Sequence, residues 1–95
     1  SIIEEELKRL PVIKEVVVTS ISHQVWDNLV VAWVVPFKKN NINKFELQEH
    51  CRKKLEPYLC PRLWKISNSL PLTSNGKISY SEIKKYFNGI NIKKF

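Results

Sequence analysis

Apolar and polar positions along this chain switch between a helical and an extended period, and the switches mark out its elements. Ile3, Leu7 and Leu10 recur at helical spacing. Glu4, Glu5 and Glu6 lie in the first turn, and Lys8 and Arg9 in the last, so both ends complement the helix dipole. Pro11 stops that helix. Residues 15–21, EVVVTSI, are rich in β-branched side chains and predict a strand. SHQVWDN then reads as a connector, and LVVAWVV, residues 29–35, is apolar on both faces. Such a run predicts a buried central strand, ended here by Pro36. Asn43 followed by Glu46 is an N-cap with an acidic third residue, and Ile42 and Leu47 are placed as a hydrophobic staple around it. Leu47, Cys51 and Leu55 carry the apolar stripe of that second helix as far as Pro57. RLWKIS, residues 62–67, predicts a short strand. An Asn75-Gly76 turn comes next. Ser79 with Glu82 then forms a second capping box, with Ile78 and Ile83 as its staple. Ile83, Tyr86 and Phe87 predict a buried face for the third helix, which Gly89 ends. The tail INIKKF is assigned no element. The order predicts an α+β fold, a small three-stranded sheet with helices packed on it.

Composition narrows the class. At 95 residues the chain fits one unit, with a modest core and no room to enclose a deep pocket alone. Its 43% hydrophobic and 26% charged residues suit a folded chain. No apolar run approaches the roughly 20 residues of a membrane span. The first residues, SIIEEELKRL, lack Met and read as an acidic helix rather than a signal peptide, so a piece of something larger is expected. A net charge of +7 suits anionic partners, but the lysines are spread, densest only in CRKK and the terminal KKF, which favours an ordinary solvated surface. Cys51 and Cys60 lie outside any CxxC and are expected to be reduced, in a cytoplasmic protein. His50, Cys51 and Cys60 lack a fourth ligand at metal-site spacing, so no metal site is expected.

Self-contained catalytic chemistry is not visible. There is no paired-carboxylate signature and no Ser-His-Asp set; His23 falls in a loop and His50 on a helix. The Gly76-Lys77 pair fails as a phosphate-binding loop, because no glycine precedes it at the right spacing and Ile78 stands where Ser or Thr is needed. Taken alone, Asn-Gly-Lys reads as a structural turn.

Read in order, longer stretches say more. LPVIKEVVV, VWDNLVVAWVVP, Leu55 with Tyr58 and Pro61, and then Leu70, Pro71, Thr73, Gly76 and Lys77 follow one another at fixed spacings. Together they resemble the C-terminal subdomain of adenylate-forming enzymes: acyl- and aryl-CoA ligases, peptide synthetase adenylation domains and luciferases. The resemblance runs from about Ile3 to Tyr86. It implies that residues 1–95 are one lid subdomain of an AMP-forming acid–thiol ligase, whose hinge motif and N-terminal domain are not in this sequence. It implies a catalytic Lys77 on a loop supported by Thr73, Asn75 and Gly76, and Arg52 as a contact for a CoA phosphate. It implies ATP, Mg2+ and CoA in the intact enzyme, held mainly by the N-terminal domain, with none bound by this chain and the chain inactive by itself. The implied partners are that N-terminal domain, a carboxylic acid and a CoA or carrier thiol, without nucleic acid or membrane. Ligases acting on o-succinylbenzoate are one group that a chain ending soon after the lysine helix would suit. Departures from the family pattern are Asp27 in place of a glycine after the Trp, and Tyr80 in place of a basic residue. Ser22 and His23 also stand where a loop acid is usual. The competing reading is a free-standing basic module for RNA or an acidic partner, which needs aromatic and basic residues interleaved on an open sheet face. Trp33 lies in the apolar strand and argues for a core instead, while Trp26 and Trp64 leave the question open.

Overall fold

The computed structural model describes residues 1–23, 27–38 and 42–90. Trp26, the terminal KKF cluster and the tail beyond Ile90 lie outside these residues. Three helices and three strands follow in the order α1 (Ile2–Lys8), β1 (Ile13–His23), β2 (Asp27–Pro36), α2 (Lys44–Lys54), β3 (Leu63–Ile66) and α3 (Tyr80–Asn88), with a 3-10 turn at Pro57–Leu59 before β3. The sheet order is β1-β2-β3. β1 and β2 pair antiparallel, with Val17 opposite Trp33, and β2 and β3 pair parallel, with Ala32 opposite Trp64. This is the expected α+β fold, with the apolar run at its centre.

Alternation along β2 explains the layers. Successive side chains of a strand point to opposite faces. Leu29, Val31, Trp33 and Val35 join Val17, Ile21 and Leu63 against Ile83 and Phe87 of α3. Ala32 and Val34 join Val16 on the other face, against Ile3 and Leu7 of α1 and Leu47 and Cys51 of α2. The sheet is therefore covered on both sides, and each fully buried aliphatic or aromatic side chain contributes about 1.5–3 kcal/mol. Among the described residues neither face is left open for stacked bases, so the sheet gives no support to an RNA-binding reading.

The N-caps form where the sequence places them, but the Ser79–Glu82 box is only half made, because the Ser79 N–H donates to Pro71 O. Asn43 Oδ1 accepts from the Glu46 N–H at 3.0 Å, and Ser79 Oγ from the Glu82 N–H at 3.3 Å. Ser1 caps α1 in the same way, accepting from Glu4 N–H at 3.1 Å. β1 and β2 run further than the residue pattern predicts, β1 by two residues at each end, because pairing continues outward from the apolar segments, whereas β3 is one residue shorter at each end than expected. β1 is an edge strand, and one of its outward N–H groups, Val18, donates to Glu4 Oε2 at 2.7 Å. That contact ties α1 to the sheet and blunts an edge otherwise open to foreign strands.

Two expected burials do not occur. Tyr86 is 39% exposed. Its ring lies edge-on to Trp33 at 5.4 Å between centroids, and Lys65 Nζ sits 5.0 Å above it. A half-covered aromatic that holds a cation is favourable at a layer's rim. Ile78 is also exposed, and the hairpin described next is the reason.

Candidate functional site

A small hairpin carries Lys77 between β3 and α3. Leu70 packs into the α3-side core, and the carbonyl of Ser69 accepts from Trp33 Nε1 at 2.9 Å, so the chain enters the hairpin from a fixed point. Gly76 N–H donates to Thr73 O at 2.9 Å, and Thr73 N–H to Lys77 O at 2.7 Å. Lys77 N–H donates to Thr73 Oγ1 at 3.2 Å. Ser79 N–H donates to Pro71 O at 2.8 Å, closing the base. The Ser79 hydroxyl caps α3, and Ser79 is itself buried. The hairpin is thus stapled to a helix start.

The Asn-Gly signal works through a different turn from the two-residue type, in which both residues take positive φ. Among the described residues only Asp27 and Gly76 have positive φ, so Asn75 does not. Gly76 stands at φ 80, the left-handed position that follows a tight turn in a longer hairpin loop. A Cβ there would meet nothing within 4 Å, so the need for glycine comes from the backbone and not from space. Asn75 Oδ1 receives the Ser74 hydroxyl at 3.4 Å. Asp27 shows the same rule elsewhere. It adopts φ 60, a conformation suited to the glycine the family pattern has there and one that Asp tolerates better than most residues.

The Lys77 side chain is exposed, and among the described residues it makes no ion pair. Thr73, Gly76 and Lys77 are joined directly by hydrogen bonds, with Asn75 between them. Arg52 is not part of this group. It lies in the last turn of α2, on the opposite layer from α3. Its guanidinium holds Glu49 through Nη2 at 2.7 Å and Nε at 3.2 Å. That hydrogen bond, with the charge behind it, lowers the Glu49 carboxyl below its ordinary range. Arg52 also borders a shallow cleft of about 370 Å³ with Gln48, Pro57, Cys60 and Arg62.

Other candidates are structural. His50 Nε2 lies 2.8 Å from Glu6 Oε2 and bridges α2 to α1. Cys51 and Cys60 are free thiols. Burial pushes Cys51 up to about 12, and pushes Cys60 up as well, against a smaller opposing pull from Arg62. Among the described residues, no three His, Cys, Asp or Glu side chains gather as metal ligands would. No helix of the described residues is long and apolar enough to cross a membrane.

Residues 2–77 match the family described as the AMP-binding enzyme C-terminal domain, a match that ends on the hairpin lysine. The chain belongs to this family. Among curated relatives, it is 33% identical over 90 residues to the acyl-CoA ligase YhfT of Bacillus subtilis, covering 90% of this chain and 18% of that protein. It is 36% identical over 87 residues to the human mitochondrial acyl-coenzyme A synthetase ACSM4, covering 86% of this chain and 15% of that one. Over 77 residues it is 30% identical to surfactin synthase subunit 3 of B. subtilis, covering 81% of this chain and 6% of that protein. The chain thus spans less than a fifth of each of these relatives. Among solved structures, apo MatB from Rhodopseudomonas palustris superposes with a TM-score of 0.81 at 22% identity, over 92% of this chain and 17% of MatB. That likeness shows the fold.

Before the structure, nothing in the residue pattern drew attention to Leu72. It pairs across the hairpin with Ile78. The two apolar residues stand symmetrically about the turn, a cross-strand signal that competes with the staple of Ile78 on Ile83.

Proposed function

We propose that residues 1–95 are the C-terminal lid subdomain of an ATP-dependent, AMP-forming acid–thiol ligase, and that Lys77 serves its acyl-adenylate step. The observation that carries this is an exposed, unpaired lysine on a hydrogen-bonded hairpin, at the end of the family match. The chemistry asks for such a group. A carboxylate oxygen attacks the α-phosphorus of ATP, forming an O–P bond while pyrophosphate leaves. Two anions must approach, and an ammonium between them offsets their repulsion as the transition state forms. Lysine supplies a compact charge on a long stem. The hairpin supplies position, since Lys77 N–H and C=O are both bonded to Thr73.

The chain's own residues fit that single role and not a whole nucleotide site. In this reading Mg2+ and most of the ATP and CoA contacts belong to the larger N-terminal domain. That domain would also hold the acid and set its identity, o-succinylbenzoate being one case. Thioester formation would follow when the lid rotates, withdrawing Lys77 and admitting the thiol of CoA or a carrier. Such a domain rotation can serve two reactions at one site. Arg52 lies on α2, which packs on one face of the sheet, and Lys77 on the hairpin that leads into α3 on the other, which suits a body that presents different surfaces in the two steps. In the second of them Arg52, released from Glu49, would meet a CoA phosphate. This reading places the ligase in the cytoplasm, as expected of two cysteines outside any CxxC.

Single-turnover kinetics of Lys77→Ala in the intact ligase test this. Acyl-adenylate formation should fall by about 100- to 1,000-fold, the usual loss of one preorganised charge, whereas thiol attack on supplied acyl-adenylate stays near wild type. Equal losses in both steps, or none in adenylation, would leave Lys77 as only the residue after a turn. The 95-residue chain alone should release no pyrophosphate from ATP.

A further inference from the structure

The hairpin presents more than a lysine. Leu72 and Ile78 form an isolated antiparallel bridge next to Lys77. Their pairing lies between the Thr73–Lys77 and Pro71–Ser79 hydrogen bonds. It is thus the non-hydrogen-bonded kind of pair, in which side chains approach most closely and share one face. Yet Leu72 is 54% exposed and Ile78 36%. Tyr80, two residues further on, is 48% exposed. The local sequence offers Ile78 a buried alternative, the staple against Ile83. Ile83 is wholly buried on the sheet without it. Ile78 is thus left exposed beside Leu72 while Ile83 is buried.

We infer that the Leu72–Ile78 pair is a docking foot, a positioning pair that seats on an apolar patch of the ligase's own N-terminal domain and so aims Lys77 during adenylation. This rests on the proposed function above. The occupant follows from three features. The chain belongs to a C-terminal domain family and spans 18% or less of the relatives described above, so a larger domain is the neighbour expected. The pair is adjacent in sequence and in space to the residue that must enter that neighbour's site. A lone exposed ammonium cannot fix its own approach, because a solvated charge attracts anions without defining an orientation. Two apolar side chains on the next rung of the same hairpin can, since their burial needs a shaped surface. Leu72 and Ile78 touch no reacting atom in this scheme and act through Lys77.

The test is the double variant Leu72→Thr/Ile78→Thr in the intact ligase, with Lys77→Ala and the conservative pair Leu72→Met/Ile78→Val alongside. Threonine keeps the strand conformation while removing most of the apolar surface. Adenylation by the threonine pair should fall about 10- to 100-fold, thioester formation from supplied acyl-adenylate should change less than about 2-fold, and the conservative pair should recover most of the loss. The melting midpoint of the 95-residue chain carrying the threonine pair should stay at the wild-type value, which a merely structural role would not allow. Wild-type adenylation in the threonine pair, equal losses in both half-reactions, or a lowered melting midpoint overturns the docking foot. Lys77→Ala separates the two readings. If it abolishes adenylation while the threonine pair does not, the lysine's role stands and the foot fails. If it leaves adenylation intact, the role of Lys77 fails whatever the pair does.

Discussion

Replacing Gly76 by alanine should loosen the hairpin by a small, calculable amount. Gly76 stands at φ 80, and a Cβ there has open space. Steric collision with neighbours therefore adds nothing, and the cost is that of holding an L-residue in the left-handed region, about 1–2 kcal/mol. Alanine also narrows the open hairpin's conformations, which returns about 0.4–1 kcal/mol. The net is at most about 1.6 kcal/mol and centres on about 0.8 kcal/mol, or about a 4-fold rise in the open fraction. The reporters are the Thr73 and Ser79 amides, which bond to Lys77 O and Pro71 O across the hairpin. Their hydrogen exchange, read by NMR on the full chain, should accelerate by that factor, while core amides such as Val31 and Val34 should be unmoved. The melting midpoint should drop by about 3–6 °C, given that 1 kcal/mol shifts a domain of this size by about 4–8 °C. D-alanine at 76, introduced by chemical ligation, should exchange as slowly as glycine or more slowly, because its mirror-image Cβ favours positive φ. Equal protection with L-alanine and glycine would sink the backbone account. So would a D-alanine hairpin as loose as the L-alanine one.

Phe87→Ala should be among the most damaging core changes, since Phe87 is 1% exposed and packs edge-on to both Trp33 and Tyr86; urea denaturation should show a loss of about 3–5 kcal/mol. The Cys51 thiol, raised by burial from 9.0 to about 12, keeps its proton longer in the folded chain than in the unfolded one. Between those values the folded state binds more protons, so stability from this group is complete below pH 9 and declines as pH rises toward 12; Cys51→Ala should flatten that decline in alkaline melts. Arg52→Ala should leave adenylation and the melting midpoint unchanged, because its pairing with Glu49 is fully at the surface, and should raise the KM for CoA in the intact ligase. An unchanged KM would return Arg52 to the solvated face of its helix.

Much of this fold was legible because it is decided within a few residues. Asn43 and Ser79 cap their helices through side chains three positions from the amides they serve, a distance that sequence states directly. The unbroken apolar run at 29–35 could only be a strand covered twice, and it is. The lysine turn was legible for the same reason, as Gly76 is the residue that its backbone angle requires. Tertiary structure decided what local pattern leaves degenerate. Ile78 satisfied two rules at once, a staple to Ile83 and a cross-strand partner for Leu72, and hairpin pairing turned it outward. Tyr86 sat on the stripe of α3, but the rim of the layer ended before it and left a face for Lys65. α2 and α3 came to lie on opposite faces because β3 pairs parallel to β2, with α2 crossing over one face and α3 returning on the other. Caps and turns depend on neighbours in the chain, whereas exposure and layer depend on which distant surface arrives first.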